Sequence, residues 1–299
     1  MAKDNFTKDW IIENSIEIVS RYEPGELTIR ALHYQLVAIG MTNTMSHYKR
    51  VVNAMETARW DNLIEFEAFS DHDRSMIGKT KFELTNVQEK VEEAKEQVEA
   101  WMTSYRKNRW EDQFYYPEIF IEKKALQGIF DKPCAQKSVT LGACKGYPSL
   151  TFLNEAAQRF IAAEELGHKP IILYFGDYDP SGEDIPRSIE ANLNRFGVSN
   201  LEVRRIALME DQVKEWNLPP APAKDGDSRT ANWGGLGQVE LDAVNPKKLQ
   251  NMCLDAIQDI FDEDTHDKVL LREKDERKDF RKQLKLFVNT LHSEEEDED

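Results

Sequence analysis

Ile171 to Gly182 reads IILYFGDYDPSG, and the interpretation of this stretch decides the fold. Ile171, Ile172, Leu173, Tyr174 and Phe175 form an apolar run between Pro170 and Gly176, as expected of a short strand buried on both faces of a sheet. Asp177 and Asp179 follow, then a Pro-Ser-Gly turn. In extended chain, residues two apart point the same way, so both carboxylates project from the strand's C-terminal edge. That edge is where open α/β sheets bind ligands. Two ionised carboxylates about 6 Å apart repel by roughly 3 kcal/mol at an effective dielectric near 20, so a positive group is expected between them. Oxygen ligands beside a tight turn, with no His or Cys in the stretch, suit Mg²⁺ better than Zn²⁺. The same residues also suit an Asx-type turn capping a helix that begins near Glu183.

Working outward from this strand, apolar and amphipathic segments alternate. Glu118–Glu122 and Ser138–Leu141 read as strands before it, and Leu201–Ala207 as one after it. Helices are expected around Ala125–Phe130, from Leu150 to about Leu166, and from Glu183 to Phe196. This alternation predicts a mainly parallel sheet with helices on both faces, in which Glu122 ends a strand at the same edge as Asp177 and Asp179. Past Leu218 the chain turns irregular, and Asp225–Arg229 and Glu240–Asp242 read as charged surface loops, with a role behind the site or facing DNA as the alternative. Residues 247–292 read as amphipathic helix.

Towards the N-terminus the pattern is helical. Residues 5–22 carry a broad apolar stripe ended by Pro24 and Gly25, and Thr28 is placed to cap a helix running to about Ile39. On that helix Ile29, Leu32, Leu36 and Ile39 share one side, with Arg30 and Tyr34 roughly opposite. A third helix is expected from about Ser46 to Arg59, with Tyr48, Val51, Val52 and Met55 inward and Lys49, Arg50 and Asn53 outward. Leu63–Phe69 alternates as a strand does. Three helices and a strand make a helix-turn-helix with a wing. Residues 82–108 read as a long charged connecting helix.

The composition, 40% hydrophobic and 31% charged over 299 residues, is that of a globular protein of one large or two medium domains. No apolar run is long enough to span a bilayer and MAKDNFTKDW lacks a signal-peptide core, so a cytoplasmic protein is expected. Cys134, Cys144 and Cys253 have no CxxC spacing, which argues against a disulfide framework and a zinc ribbon. The formal net charge of −16 opposes nucleic-acid binding, but it is unevenly spread. Glu294 to Asp299 form an acidic tail, whereas Thr28–Arg59 holds Arg30, Lys49, Arg50 and Arg59 against the lone acid Glu56.

One acid after a first strand (Glu122 in IEKKAL) and an Asp-x-Asp after a later one (GDYDPSG) resemble the Toprim domain of topoisomerases, primases and some nucleases. The segment RALHY, Arg30–Tyr34, on a helix of a winged-helix domain that precedes it, resembles the catalytic-tyrosine motif of the topoisomerase VI A subunit and its meiotic break-forming relatives. The loop KGYPS, Lys145–Ser149, is similar to theirs. The resemblance spans roughly Thr28–Ala207 and is nearest to the stand-alone Mini-A homologues of mobile elements.

The resemblance implies a winged-helix domain over 1–80, a helical connector over 81–114, a Toprim domain with a helical extension over 115–293, and the tail 294–299. It also implies a homodimer that cuts both strands of duplex DNA, each 5′ end held on Tyr34. Arg30 would favour the phenolate or hold the scissile phosphate, and Mg²⁺ would sit on Glu122, Asp177 and Asp179. Lys49, Arg50, Arg59, Lys123 and Lys145 would hold the DNA backbone. His33 stands where relatives often carry a second tyrosine and reads as a spacer, with a proton acceptor as the alternative. The chain shows no ATPase motif, so strand passage would need a separate ATPase subunit, and a nucleoid-associated protein of prokaryotic, phage or mobile-element origin is expected. The competing readings are a Toprim nuclease that activates water and a non-catalytic DNA-binding or partner-recruiting protein.

Overall fold

A computed structural model describes residues 5–21, 27–69, 86–220 and 237–295, with side chains to residue 288. The chain divides into two compact units, one of residues 1–75 and 114–260, the other of residues 76–113 and 261–299.

The first unit opens with three helices, α1 (Lys8–Ser20), α2 (Ile29–Ala38) and α3 (Met45–Trp60). Each is started by a threonine. The hydroxyls of Thr7, Thr28 and Thr44 accept from the N–H groups of Trp10, Ala31 and His47, satisfying amides that the first turn leaves open. The helices close around Ile11, Leu27, Leu32, Leu36, Val51 and Met55. Within α3 the inward positions are Val51, Ala54, Met55 and Ala58, three and four apart. Val52, expected inside, is exposed, as is Ile39 beyond the end of α2.

The strand expected over Leu63–Phe69 does not form. Phe66–Ala68 make a 3₁₀ turn, and Phe69 makes a single parallel bridge with Leu27. The aromatic residues there cover a surface: Trp60 packs edge-on against Phe66, and the Arg59 guanidinium lies over Phe66 and Phe69. The remainder of the expected wing, residues 70–80, lies outside the described residues.

Four parallel strands follow: β1 (Tyr115–Ile121), β2 (Thr140–Ala143), β3 (Lys169–Phe175) and β4 (Glu202–Ala207), in spatial order β2-β1-β3-β4. The helices between them are α5 (Gln127–Lys137), α6 (Leu150–Glu165) and α7 (Pro180–Arg195). Alternate residues of the central strands serve opposite faces. Phe120, Ile172 and Tyr174 pack with Phe160 of α6 and Ile189 of α7, while Phe175 meets Phe130 of α5 on the other side. After the short helix α8 (Glu210–Glu215), α9 (Pro246–Gln258) joins α5 on that second face. From β1 the chain crosses to β2 on one side, and from β3 to β4 on the other. The C-terminal ends of β1 and β3 therefore flank the crevice where this topology reverses direction.

The second unit pairs α4 (Val87–Ser104) with α10 (Glu263–Glu295). The two run antiparallel: Arg281 donates to the Met102 carbonyl, Tyr105 to Glu276, and Gln113 to the Asp262 carbonyl. The stretch expected as a connector is thus half of a helical pair. Glu294 and Glu295, expected in the tail, close α10. No described helix is long and apolar enough to cross a membrane.

Candidate active site

β1 ends at Ile121, so Glu122 and Lys123 emerge at the carboxyl edge of the sheet, and Asp177 emerges beside them from β3. The approach is close enough to require glycine. A Cβ on Gly176 would lie 2.6 Å from the Tyr174 ring and 2.8 Å from Glu122 Oε2, and one on Gly182 would lie 2.1 Å from the Asp177 carbonyl oxygen. Glu122 is buried and its Oε2 accepts the Asp177 N–H at 2.9 Å. Asp177 gives Oδ1 to the Leu241 N–H at 2.7 Å and Oδ2 to Lys123 Nζ at 2.9 Å. Asp179 is the N-cap of α7, its Oδ1 accepting the Gly182 N–H at 2.6 Å. The capping role considered for this aspartate is therefore realised, and α7 begins at Pro180, three residues earlier than expected.

Burial, with the charge of Glu122 added, pushes the Asp177 carboxyl up to about 7, despite Lys123 and the Leu241 N–H. Glu122 is pushed up by burial and by the charge of Asp179, against the Asp177 N–H and Lys123. The donor set is all carboxylate oxygen, the chemistry that a hard divalent cation takes. The present hydrogen bonds do not form a closed ligand set. Among the described residues no group of three or more His, Cys, Asp or Glu side chains is arranged to hold a metal ion.

Lys123 occupies the centre of the cluster. Its Nζ lies 2.9 Å from Asp177, 3.2 Å from Asp242 and 3.5 Å from Glu240, and although burial opposes its charge, these acids hold it protonated well above the ordinary lysine range. Glu240 also receives Arg30 of α2 as a two-pronged fork, at 2.5 Å to Oε2 and 2.6 Å to Oε1. The Tyr34 hydroxyl donates to the same Oε2 at 3.1 Å. Burial raises the Glu240 carboxyl, but Lys123 and Arg30 outweigh this and hold it below the usual range. Burial and the charge of Glu240 push the Tyr34 hydroxyl well above that of a free tyrosine.

The helix α2 does not present Tyr34 to open solvent as its spacing suggests. The side chain is 2% exposed and borders a small crevice lined by Arg30, His33, Asn43, Met45 and Tyr48. His33 is buried with Nε2 3.3 Å from Asn43 Oδ1, and burial lowers its pKa.

The structure thus joins Tyr34, Arg30, Lys123 and Asp177 in one connected cluster, with Glu122 and Asp179 against its acidic end. The proposed DNA-contacting residues divide. Lys49 and Arg50 are exposed on α3, and Lys145 is exposed in a turn whose Gly146 N–H donates to the Glu122 carbonyl at 3.0 Å. Arg59 instead folds onto α3, donating to the Met55 carbonyl beneath the two phenylalanines.

Arg205 was passed over by the sequence reading, and Glu240 and Asp242 were given the surface-loop reading ahead of a role near the site. Glu240 and Asp242, expected in a surface loop, are drawn into the site, and Asp242 is 1% exposed. Arg205 of β4 donates to the Asp177 carbonyl at 2.9 Å. The only signal for Arg205 was a charged pair, Arg204-Arg205, inside a strand pattern. Asp225–Arg229 lies outside the described residues. No protein family, curated protein or solved structure matches the chain significantly.

Proposed function

We propose that the protein is a Mg²⁺-dependent DNA transesterase of the topoisomerase VI A-subunit type, built from a winged-helix-like front and a Toprim-like sheet, with Tyr34 as nucleophile. What supports this reading is that a tyrosine and an arginine from α2 share one hydrogen-bonded cluster with a lysine and an aspartate from the sheet's carboxyl edge. Phosphoryl transfer needs positioned positive charge around the phosphoryl oxygens and an oxygen nucleophile in reach. Arg30 supplies a planar fork for those oxygens, and Lys123 a second charge.

In the reaction the Tyr34 oxygen bonds to phosphorus, the bond from phosphorus to the 3′ oxygen breaks, and that oxygen leaves as a hydroxyl. The tyrosine proton passes to solvent and a proton from solvent completes the leaving group. The phosphotyrosine link conserves the bond energy, so the reverse attack reseals the strand without a nucleotide. Glu122, Asp177 and Asp179 would hold Mg²⁺, which when bound neutralises charge on the phosphoryl oxygens. The 3.1 Å bond to Glu240 and the raised hydroxyl pKa make Tyr34 inert as described, so attack requires that bond to open. Two copies would cut the two strands, and a separate ATPase subunit would couple cutting to strand passage.

The test is incubation with end-labelled supercoiled DNA and Mg²⁺ followed by detergent. Covalent protein at 5′ ends, absent in Tyr34→Phe, is expected; its absence from the wild-type protein contradicts the reading. One observation favours a hydrolytic nuclease as second reading: a carboxyl near neutrality, Asp177 at about 7, suits a base that takes a proton from water. That reading requires free 5′ phosphates that persist in Tyr34→Phe.

A further inference from the structure

Residues 237–243 enter the chemistry above only through the Glu240 bond that must open, yet their two acids contact Lys123 at its centre. Their backbone is fixed to the sheet edge: Tyr178 and Val239 exchange hydrogen bonds of 2.8 and 3.0 Å, and the Leu241 N–H binds Asp177. Their two acids face the bases of the site. Asp242 Oδ2 takes Lys123, while the Glu240 carboxylate receives both prongs of Arg30, the Tyr34 hydroxyl and the ammonium of Lys123.

A singly charged anion with two oxygens, gripped by a guanidinium fork and an ammonium and touched by a hydroxyl, has the surroundings that a phosphodiester requires. We infer that Arg30, Tyr34 and Lys123 form the seat of one DNA phosphodiester, and that the Glu240 carboxylate fills it until the phosphate displaces it. The choice of a phosphodiester rests on the transesterase reading; the anion seat itself rests on the contacts.

The exchange conserves charge, since one singly negative group replaces another between the same two cations. It also puts phosphorus next to the oxygen that must attack it. The alternative role for Glu240, a base for Tyr34, is opposed by the electrostatics: its carboxyl lies below the usual range and the hydroxyl above, so proton transfer between them runs uphill. The hold of the segment is incomplete. Asp242 Oδ1 is buried without a hydrogen-bond partner among the described residues, a cost that the closed state carries and an open state would relieve.

The experiment is fluorescence anisotropy of a short labelled DNA duplex with the full chain in chelator, where no Mg²⁺ is present to support cutting. Glu240→Gln is expected to bind about tenfold more tightly than wild type, and the gain should vanish in Glu240→Gln combined with Arg30→Gln. Unchanged or weaker binding in Glu240→Gln folded by circular dichroism overturns the assignment. So does a gain that survives Arg30→Gln, which would report only the loss of a negative charge. Should Glu240→Gln fail to fold, Glu240→Asp, whose carboxylate is withdrawn by one methylene, should bind about threefold more tightly, and no gain there overturns it equally. A binding gain without any covalent link to Tyr34 would leave the seat standing and remove the transesterase.

Discussion

Two buried charge clusters lie at the two ends of a single run of strand, Glu118 to Lys123, and they are built on opposite terms. Within β1, Glu118 is wholly buried and pairs with a single cation, Arg159 of α6, through two hydrogen bonds of 2.7 and 2.9 Å, and also accepts the Tyr116 hydroxyl at 3.4 Å. Each oxygen has its donor. Burial still pushes the Glu118 carboxyl up, while its hydrogen bonds push Arg159 up; the acid is the deeper of the two and loses more hydration. Five residues on, Lys123 serves three acids at once, Asp242 keeps an oxygen with no hydrogen-bond partner among the described residues, and Asp177 rises to about 7. A closed pair fixes a helix to a sheet. A cluster rich in acids, drawn from four separated segments, is a site held ready for something else.

The difference can be broken first at the closed pair. Arg159→Met should cost about 3–5 kcal/mol, because it leaves Glu118 charged in the sheet with no counter-ion. Urea denaturation near neutral pH measures this, and a midpoint within error of wild type would show that the pair does not hold α6 to β1. At the edge, Lys123→Met should cost less, about 2–3 kcal/mol, because Arg30 still serves Glu240 and Asp177 can take up a proton. Its deficit should shrink on acidification, and a deficit independent of pH contradicts that account.

The smallest effect sharpens the contrast. Asp177 binds its proton more tightly folded, at about 7, than at its ordinary value of 3.8, so between these limits the folded state holds more protons. Its contribution is fully present below the lower value and is lost as pH rises through the upper one. Wild type should therefore be less stable at about pH 8 than at about pH 6, by about 1 kcal/mol from this group. Asp177→Asn should narrow the gap. A gap of unchanged size in the variant would mean that the edge cluster titrates elsewhere.

The sheet was legible because its signals are local. β3 is a continuous apolar run whose residues 170–175 are all buried, and α6 lies within a residue of its expected span. Glu122 and Asp177 could be assigned to one edge from strand direction alone. The third strand of the front region misled for a physical reason: in Leu63–Phe69 the alternation is real, but Leu63 and Phe66 are exposed and Phe66 is occupied by Trp60 and Arg59. Among the described residues only Leu27 bridges to this stretch, and alternation alone does not make a strand.

The site itself was half legible. Tyr34, Arg30, Lys123, Asp177 and Glu122 carried motif signals. Glu240 and Asp242 carried none, because a contact spanning some 206 residues leaves no periodicity in the sequence between. Lys123 was read as a phosphate contact, and nothing nearby in the chain indicates that three acids already surround it.

The most direct measurement is peptide mapping by mass spectrometry of the protein trapped on DNA by detergent in the presence of Mg²⁺. The account predicts a nucleotide remnant on Tyr34. A remnant on any other residue, or a wild-type protein recovered with none while the DNA is cut, would contradict it.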